Sequence, residues 1–394
     1  MKSILFVDDD LEMILSTRRL LYALHRDWQV VFSNSGADAL ARLSEKNFDV
    51  IISDIRMPGI SGIELLDQVR KRFPHMVRIA LSGHSDRETS LKASGLAHQY
   101  LAKPSPAETI IAAIECALSA GSLIVDDNIR QVIGKLKTIP SQPKVYMDLV
   151  NELKNPDSSL ACVGEIISKD ASMSAKVLQL VNSAFFGLPQ KVVDPTQAAT
   201  FLGVETIRDL VLGIGIFAQF DQRKLSGLSI SNLWNHSLRS STLAKAIAIH
   251  FGMDKKICNS AMVAGLLHDI GKLVLADNFP QQYQVAHQSW LAGDQPFEVY
   301  EYQIFKATHA QIGAYLLSLW GLPGTVSRTV GWHHNPSGVS DSDRSVMLCV
   351  HAANVLDYQR HPDVRMTAVA PTFNPDFLKT CNLEDQMNIW QSIK

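Results

Sequence analysis

Five short apolar runs, separated by stretches of helical period, constrain the first 120 residues of this chain more tightly than any other feature. The runs fall near 3–7, 29–33, 50–53, 77–81 and 99–101, and the stretches between and after them, at 11–25, 36–46, 62–73, 86–94 and 106–119, predict helices. Strand and helix in such alternation give an α/β doubly wound unit, a five-stranded parallel sheet with helices on both faces. Ligands of sheets of this kind bind at the C-terminal edge of the strands.

The residues that end these runs carry chemistry. Ile4-Leu5-Phe6-Val7 runs into Asp8, Asp9 and Asp10; Val50-Ile51-Ile52-Ser53 runs into Asp54, with Arg56-Met57-Pro58-Gly59 opening a loop beyond it. The fourth run ends in Ser82-Gly83 and the fifth, after Tyr100, in Lys103-Pro104. Clustered carboxylates repel unless a cation lies among them, and Mg²⁺ takes one or two carboxylates together with water and phosphate oxygens. An Asp held beside Mg²⁺ and a Lys can attack a phosphoryl group, because the cations neutralise charge on its equatorial oxygens.

Residue for residue, 1–120 resembles the receiver domain of two-component response regulators, with its flavodoxin-like fold. The resemblance implies that Asp54 is the phosphoacceptor and that Asp8, Asp9 and Asp54 hold Mg²⁺ with the backbone carbonyl of Arg56. It makes Ser82, Tyr100 and Lys103 the switch residues that register the phosphoryl group, and Asp10 a loop acid or helix cap. A histidine kinase is then the phosphodonor, the setting bacterial phosphorelay signalling, and a homodimer through the face around the fourth and fifth helices a family expectation.

A formal net charge of −2 over 394 residues, with no long Lys/Arg cluster, argues against a general nucleic-acid or membrane-surface binder. Five scattered cysteines without CxxC spacing suit free thiols in a reducing cytoplasm. The most apolar later stretch, Leu210 to Phe217, is too short to span a bilayer, so a cytoplasmic location is expected. Residues 121–128 read as a linker. From 129 to 360 strand signals vanish and helical spacing takes over, predicting a separate all-helical domain. The tail, 361–394, reads as loop plus a short helix and carries no functional signal.

Within the helical region, the Ile139-Pro140 opening, Leu180-Val181-Asn182-Ser183 with Phe186-Gly187, and Ala198-Ala199-Thr200-Phe201-Leu202-Gly203 together look like the HDOD domain. That domain is an all-α, HD-like relative of the HD phosphohydrolases. Leu266-Leu267-His268-Asp269-Ile270-Gly271-Lys272 sets His beside Asp in an apolar helix, with His236 upstream and His309, His333 and His334 downstream. Imidazole nitrogens and carboxylates are what divalent transition metals select. The pair resembles the doublet of the HD superfamily; the resemblance makes His236, His268, Asp269, His309, His333 and His334 ligands of Fe or Mn, and Lys272 a phosphate contact.

One position departs from the catalytic pattern. Where hydrolytic members carry a closing Asp, Ala352-Ala353-Asn354-Val355-Leu356-Asp357 holds Asn354, with Asp357 nearly one turn further on as the candidate substitute. A neutral amide lacks the charge and bridging capacity of a carboxylate. HDOD domains are regarded as non-catalytic relatives, so the cluster reads as a vestigial metal site on an output domain that acts through protein–protein contact. The competing readings are a receiver-gated, metal-dependent phosphodiesterase of the cyclic-dinucleotide type and a nucleotide sensor that binds without cleaving.

Overall fold

The computed structural model describes residues 2–24, 27–73, 76–83, 96–103, 105, 107–123, 132, 136, 140, 143–153, 155, 158–182, 192–361 and 371–381. One compact unit is built on residues 1–141, with the short stretch 315–322 grouped with it, and a second on 142–314 and 323–394.

In the first unit the strands are β1 (Lys2–Val7), β2 (Trp28–Ser33), β3 (Val50–Asp54), β4 (Val77–Gly83) and β5 (Gln99–Lys103). They pair in parallel in the order β2-β1-β3-β4-β5. Helices α1 (Leu11–Leu24), α2 (Gly36–Glu45), α3 (Gly62–Arg72) and α4 (Ala107–Leu123) complete it. Every residue of β3 and all but the first of β1 are buried, as near-continuous apolar runs require in a sheet covered on both faces. The order sets β1 beside β3 in the middle of the sheet, and their register pairs Val7 with Ser53, so Asp8 and Asp54 follow side by side. The helix predicted at 86–94 lies outside the described residues. The proposed linker opens within structure, for α4 runs through Gly121 and Ser122 to Leu123, while 124–128 lie outside the described residues.

Two local devices hold the β3 edge. Ser61 and Glu64 form a reciprocal capping box at the start of α3. Gly62 donates its amide to Ile55 O at 2.9 Å, and a Cβ there would lie 1.8 Å from the backbone oxygen of Asp54. Only glycine lets α3 come this close to the strand end that carries Asp54.

Among the described residues the second unit has no strand. Its helices are α5 (Lys144–Glu152), α6 (Leu160–Ser168), α7 (Ala171–Val181), α8 (Pro195–Leu202), α9 (Val204–Phe217), α10 (Ile230–His250), α11 (Lys255–Leu267), α12 (Ile270–Asn278), α13 (Pro280–Ala292), α14 (Phe297–Phe305), α15 (His309–Leu319), α16 (Gly324–Trp332), α17 (Arg344–Arg360) and α18 (Pro375–Thr380). Ser159 caps α6 by accepting from the Cys162 amide. Asn182 ties the end of α7 to Val192 through its side-chain amide oxygen and nitrogen; Ser183 and Phe186-Gly187 of the motif lie outside the described residues. Helix α17 is buried without a break from Val346 to Asp357. Gly265 on α11 lets α10 approach until a Cβ would meet Ser241 Cα at 2.9 Å.

One buried acid in this unit works against folding at neutral pH. Asp209 on α9 is 3 % exposed, and its Oδ2 has no hydrogen-bond partner among the described residues. Burial raises its pKa to about 6 although Arg208 pulls the other way. A carboxyl whose folded pKa lies above its unfolded 3.8 binds its proton more tightly when folded. Its cost is therefore full above pH 6 and gone below 3.8. Asp209→Asn, which keeps an acceptor for Arg208, is expected to be more stable than wild type by on the order of 2–3 kcal/mol at pH 7. Urea unfolding at several pH values checks it, and the gap should close toward pH 4; a gap independent of pH would show that Asp209 does not change protonation on folding.

Candidate phosphoacceptor and metal centre

At the β1/β3 edge Asp8 is fully buried and Asp54 nearly so. Lys103 Nζ donates to Asp8 Oδ2 at 2.7 Å and to Asp54 Oδ2 at 2.6 Å. One ligand oxygen each from Asp8, Asp9 and Asp54 lie within 4.8 Å of one another, a spacing that suits a single hard cation. Asp54 Oδ1 accepts from the Arg56 amide at 3.2 Å. Asp10 turns away and caps α1, accepting from the amides of Glu12 and Met13. Burial pushes the Asp8 carboxyl up despite its bond to Lys103. Burial also opposes charge on Lys103, but its hydrogen bonds to Asp54 and Asp8 hold the ammonium above its usual range. The backbones of Ser82 and Tyr100 sit on β4 and β5; their side chains lie outside the described residues.

In the helical unit His268, His309, His333 and His334 lie at helix ends, and at the C-terminal ends backbone carbonyls lack helical partners. His268 ends α11 and donates from Nδ1 to Gly265 O at 2.8 Å; His333 ends α16 and donates from Nδ1 to Val330 O at 2.7 Å. A carbonyl can only accept, so each ring keeps its proton on Nδ1 and offers an Nε2 lone pair. His309 opens α15, with its Nδ1 2.5 Å and its amide nitrogen 2.9 Å from Glu301 Oε2. His236, on α10, sets Nδ1 2.7 Å from Asp357 Oδ2. Ring nitrogens tied to carbonyls or carboxylates while their opposite nitrogens converge are the mark of imidazoles poised for a metal.

Asp269 stands at the centre. His236 Nε2, His268 Nε2 and Asp269 Oδ2 lie 3.1, 3.5 and 3.8 Å apart. On the other side His309 Nε2 and His333 Nε2 lie 3.2 and 3.8 Å from Asp269 Oδ1, and His334 Nε2 2.9 Å from His309 Nε2. Donors about 2.0–2.1 Å from a tetrahedral ion are about 3.4 Å apart, so both groups can hold a divalent cation. His333 Nε2 is buried without a hydrogen bond among the described residues. Lys272 Nζ donates to Asp269 Oδ2 at 2.7 Å. Burial opposes charge on Asp269, but Lys272, His268 and His309 hold it well below the usual carboxylate range. Burial drives His268 down to about 4, whereas His309, against burial, is held up to about 9 by Glu301 and Asp269.

His236, Asp269, Lys272, His309, His333 and His334 line a cavity of about 640 Å³ together with the aromatic rings of Trp290, Phe297 and Tyr358. The family model of the HDOD domain matches residues 139–336, half of the chain, and that of the response regulator receiver domain matches 4–115. The chain belongs to the HDOD family. It is a two-component response regulator whose output domain is of the HD superfamily. An uncharacterized protein of Treponema pallidum is 26% identical over 228 residues, 57% of this chain and 43% of that protein. The hydrogenase transcriptional regulatory protein HoxA of Cupriavidus necator is 34% identical over 124 residues, 31% of this chain and 25% of that protein. The chain thus spans less than half the length of these curated relatives. An HDOD domain protein of Geobacter sulfurreducens superposes with a TM-score of 0.54 at 22% identity, over 67% of this chain and 86% of that one, a likeness of fold. No helix among the described residues is long and apolar enough to cross a membrane.

Of the seven residues singled out in the HDOD sequence, His236, Asp269, Lys272, His309, His333 and His334 line one cavity, and His268 meets them through its Nε2, 3.1 Å from His236 Nε2. Asp357, the candidate substitute for the closing acid, takes another place. Its carboxylate receives Arg239 at 2.5 and 3.0 Å, faces His236 Nδ1, and has His361 Nδ1 at 3.1 Å, so it orients His236 from behind. Asn354 is 3 % exposed, lines the cavity, and leaves Oδ1 without a partner among the described residues. Sequence reasoning passed over Glu301, a fully buried carboxylate in an aromatic helix, and the tail. Pro371 and Thr372 line the cavity and the Asn374 amide donates to His351 Nε2 at 3.1 Å.

Proposed function

We propose that a histidine kinase phosphorylates Asp54, that Ser82, Tyr100 and Lys103 register the phosphoryl group, and that the HDOD domain transmits the change by binding a protein partner. The observation that carries this reading is the Lys103 ammonium held between Asp8 and Asp54. Mg²⁺ held by Asp8, Asp9, Asp54 and the Arg56 carbonyl would neutralise charge on the transferring phosphoryl group. Asp54 is the nucleophile, and Lys103 is placed to release its carboxylate and take a phosphoryl oxygen.

The HDOD residues suit a divalent transition metal, Fe or Mn among them, with Lys272 beside it for an anionic ligand. Asn354 supports an output without hydrolysis, since a carboxylate that shares charge between two ions is missing from the closing position. The second reading, a phosphodiesterase or nucleotide sensor, is favoured by the aromatic-walled cavity over the same residues.

Acetyl phosphate with Mg²⁺, followed by intact mass, tests the receiver. Wild type should gain one phosphoryl group and Asp54→Asn none, while Lys103→Ala should still be phosphorylated but lose any phosphorylation-dependent change in oligomeric state or partner binding. A phosphorylated Asp54→Asn would refute the assignment. Hydrolysis of cyclic-di-GMP at about 1 s⁻¹ or faster, abolished by His268→Ala, would instead establish the enzyme reading.

A further inference from the structure

Resting on the reading that the HDOD histidines hold metal, we propose that the two halves of this centre are unequal. A single zinc-class divalent ion occupies the half formed by Asp269, His309, His333 and His334, and it clamps helix ends together without activating water.

The first argument is donor number. The half around His236 offers three donors, His236, His268 and Asp269. Its only carboxylate oxygen, Asp269 Oδ2, already takes the Lys272 ammonium at 2.7 Å, a positive charge that repels a second cation. Among the described residues nothing supplies the missing anion. Asn354 lies one turn before Asp357 on α17 and lines the same cavity as His236, but it brings a neutral amide. Asp357 is spent on His236 Nδ1 and Arg239.

The opposite half offers four donors, one carboxylate and three imidazoles. Among the described residues His333 Nε2 is buried with no hydrogen bond, and Asp269 Oδ1 has His309 Nε2 at 3.2 Å. A buried acceptor without a partner beside a buried carboxylate oxygen is costly unless a cation meets both. The rings are already aimed: His309 by Glu301 and His333 by Val330 O. Three imidazoles and one carboxylate form the borderline, nitrogen-rich set that selects Zn²⁺ or Co²⁺ over Mg²⁺.

Four protein donors fill a tetrahedron. A hydrolytic zinc site keeps one position for water, and a closed site is structural. The donors come from three places, the break between α11 and α12, the first residue of α15 and the end of α16, so one ion would join three helix ends.

Full-length protein stripped with a chelator and titrated with Co²⁺ tests this. The expected result is one Co²⁺ per chain with the strong visible absorption of a four-coordinate ion, lost in His333→Ala and in the partly exposed His334→Ala but kept in His268→Ala. Zn²⁺ at about a hundred times its Kd should raise the melting temperature by about 5–10 °C, and this rise should vanish in His334→Ala. Asn354→Asp should raise the count from one to two, which keeps the proposal testable should His268→Ala fail to fold. Two Co²⁺ ions in wild type, or a single ion lost in His268→Ala and kept in His334→Ala, would overturn the inequality and leave the metal reading standing. An unchanged count in Asn354→Asp would overturn the role given to Asn354. No Co²⁺ bound at millimolar concentration would overturn both.

Discussion

Gly271→Ala is expected to destabilise the HDOD domain by about 3 kcal/mol and to weaken its metal binding by about tenfold or more. A Cβ at Gly271 would stand 1.9 Å from the backbone oxygen of His309 and 2.9 Å from the amide nitrogen of Gly313. Neither is the free end of a side chain that can swing aside, so α12 must move away from α15. That movement separates Asp269, two residues before Gly271, from His309, which now lies 3.2 Å from it. Urea unfolding and Co²⁺ titration of the same variant check the two effects together. A loss below about 1 kcal/mol with unchanged Co²⁺ affinity would mean that the helix contact yields cheaply.

Glu301→Ala is expected to cost the metal-free protein about 3–5 kcal/mol, the range for removing one partner of a buried ion pair. Both Glu301 and His309 are fully buried, so solvent does not soften the loss. Glu301 takes the ring and the amide of His309 on one oxygen, and without it His309 must either stay charged in an apolar wall or lose its proton. Chemical unfolding in the presence of chelator measures the cost. Glu301→Gln, which keeps the volume and an acceptor but removes the charge, should fall between wild type and Glu301→Ala. Equal stability of all three proteins would show that His309 is neutral and held by its surroundings alone.

Much of the receiver was legible because a strand buried on both faces leaves a compact mark: β1 and β3 are short apolar runs, and the chemistry sits on the residues that end them. The helical spans were legible for the matching reason that apolar spacing changes period after residue 128. The histidine cluster could be read only through resemblance, since His236 and His334 are almost a hundred residues apart and no local pattern says that they meet. Glu301 left no signal at all. It occupies Phe297–Phe305 among aromatic residues, and its partner is reached only after the chain turns at Lys306, whose backbone is left-handed with φ 59°. The same limit applies to Asp357 and Asn354. Both are polar residues in one buried helix, and spacing alone does not tell which of them faces the ions and which stands behind His236. The tail hid its part in the cavity because its contact to His351 runs through a backbone amide, which every residue but proline has.

Helix α17 begins eight residues past the end of the HDOD match, yet its run from Val346 to Asp357 is buried throughout. A helix wrapped on all sides by protein is interior scaffolding. The autonomous folding unit of the output domain is therefore longer than the family boundary implies. A fragment ended at residue 336 would lack the helix that packs on α10 and α11, leave His236 without Asp357 behind it, and bare an apolar trough along both helices. The shortest fragment that keeps this helix whole ends at Arg360, and one that also keeps the Asn374 amide on His351 extends to the end of α18.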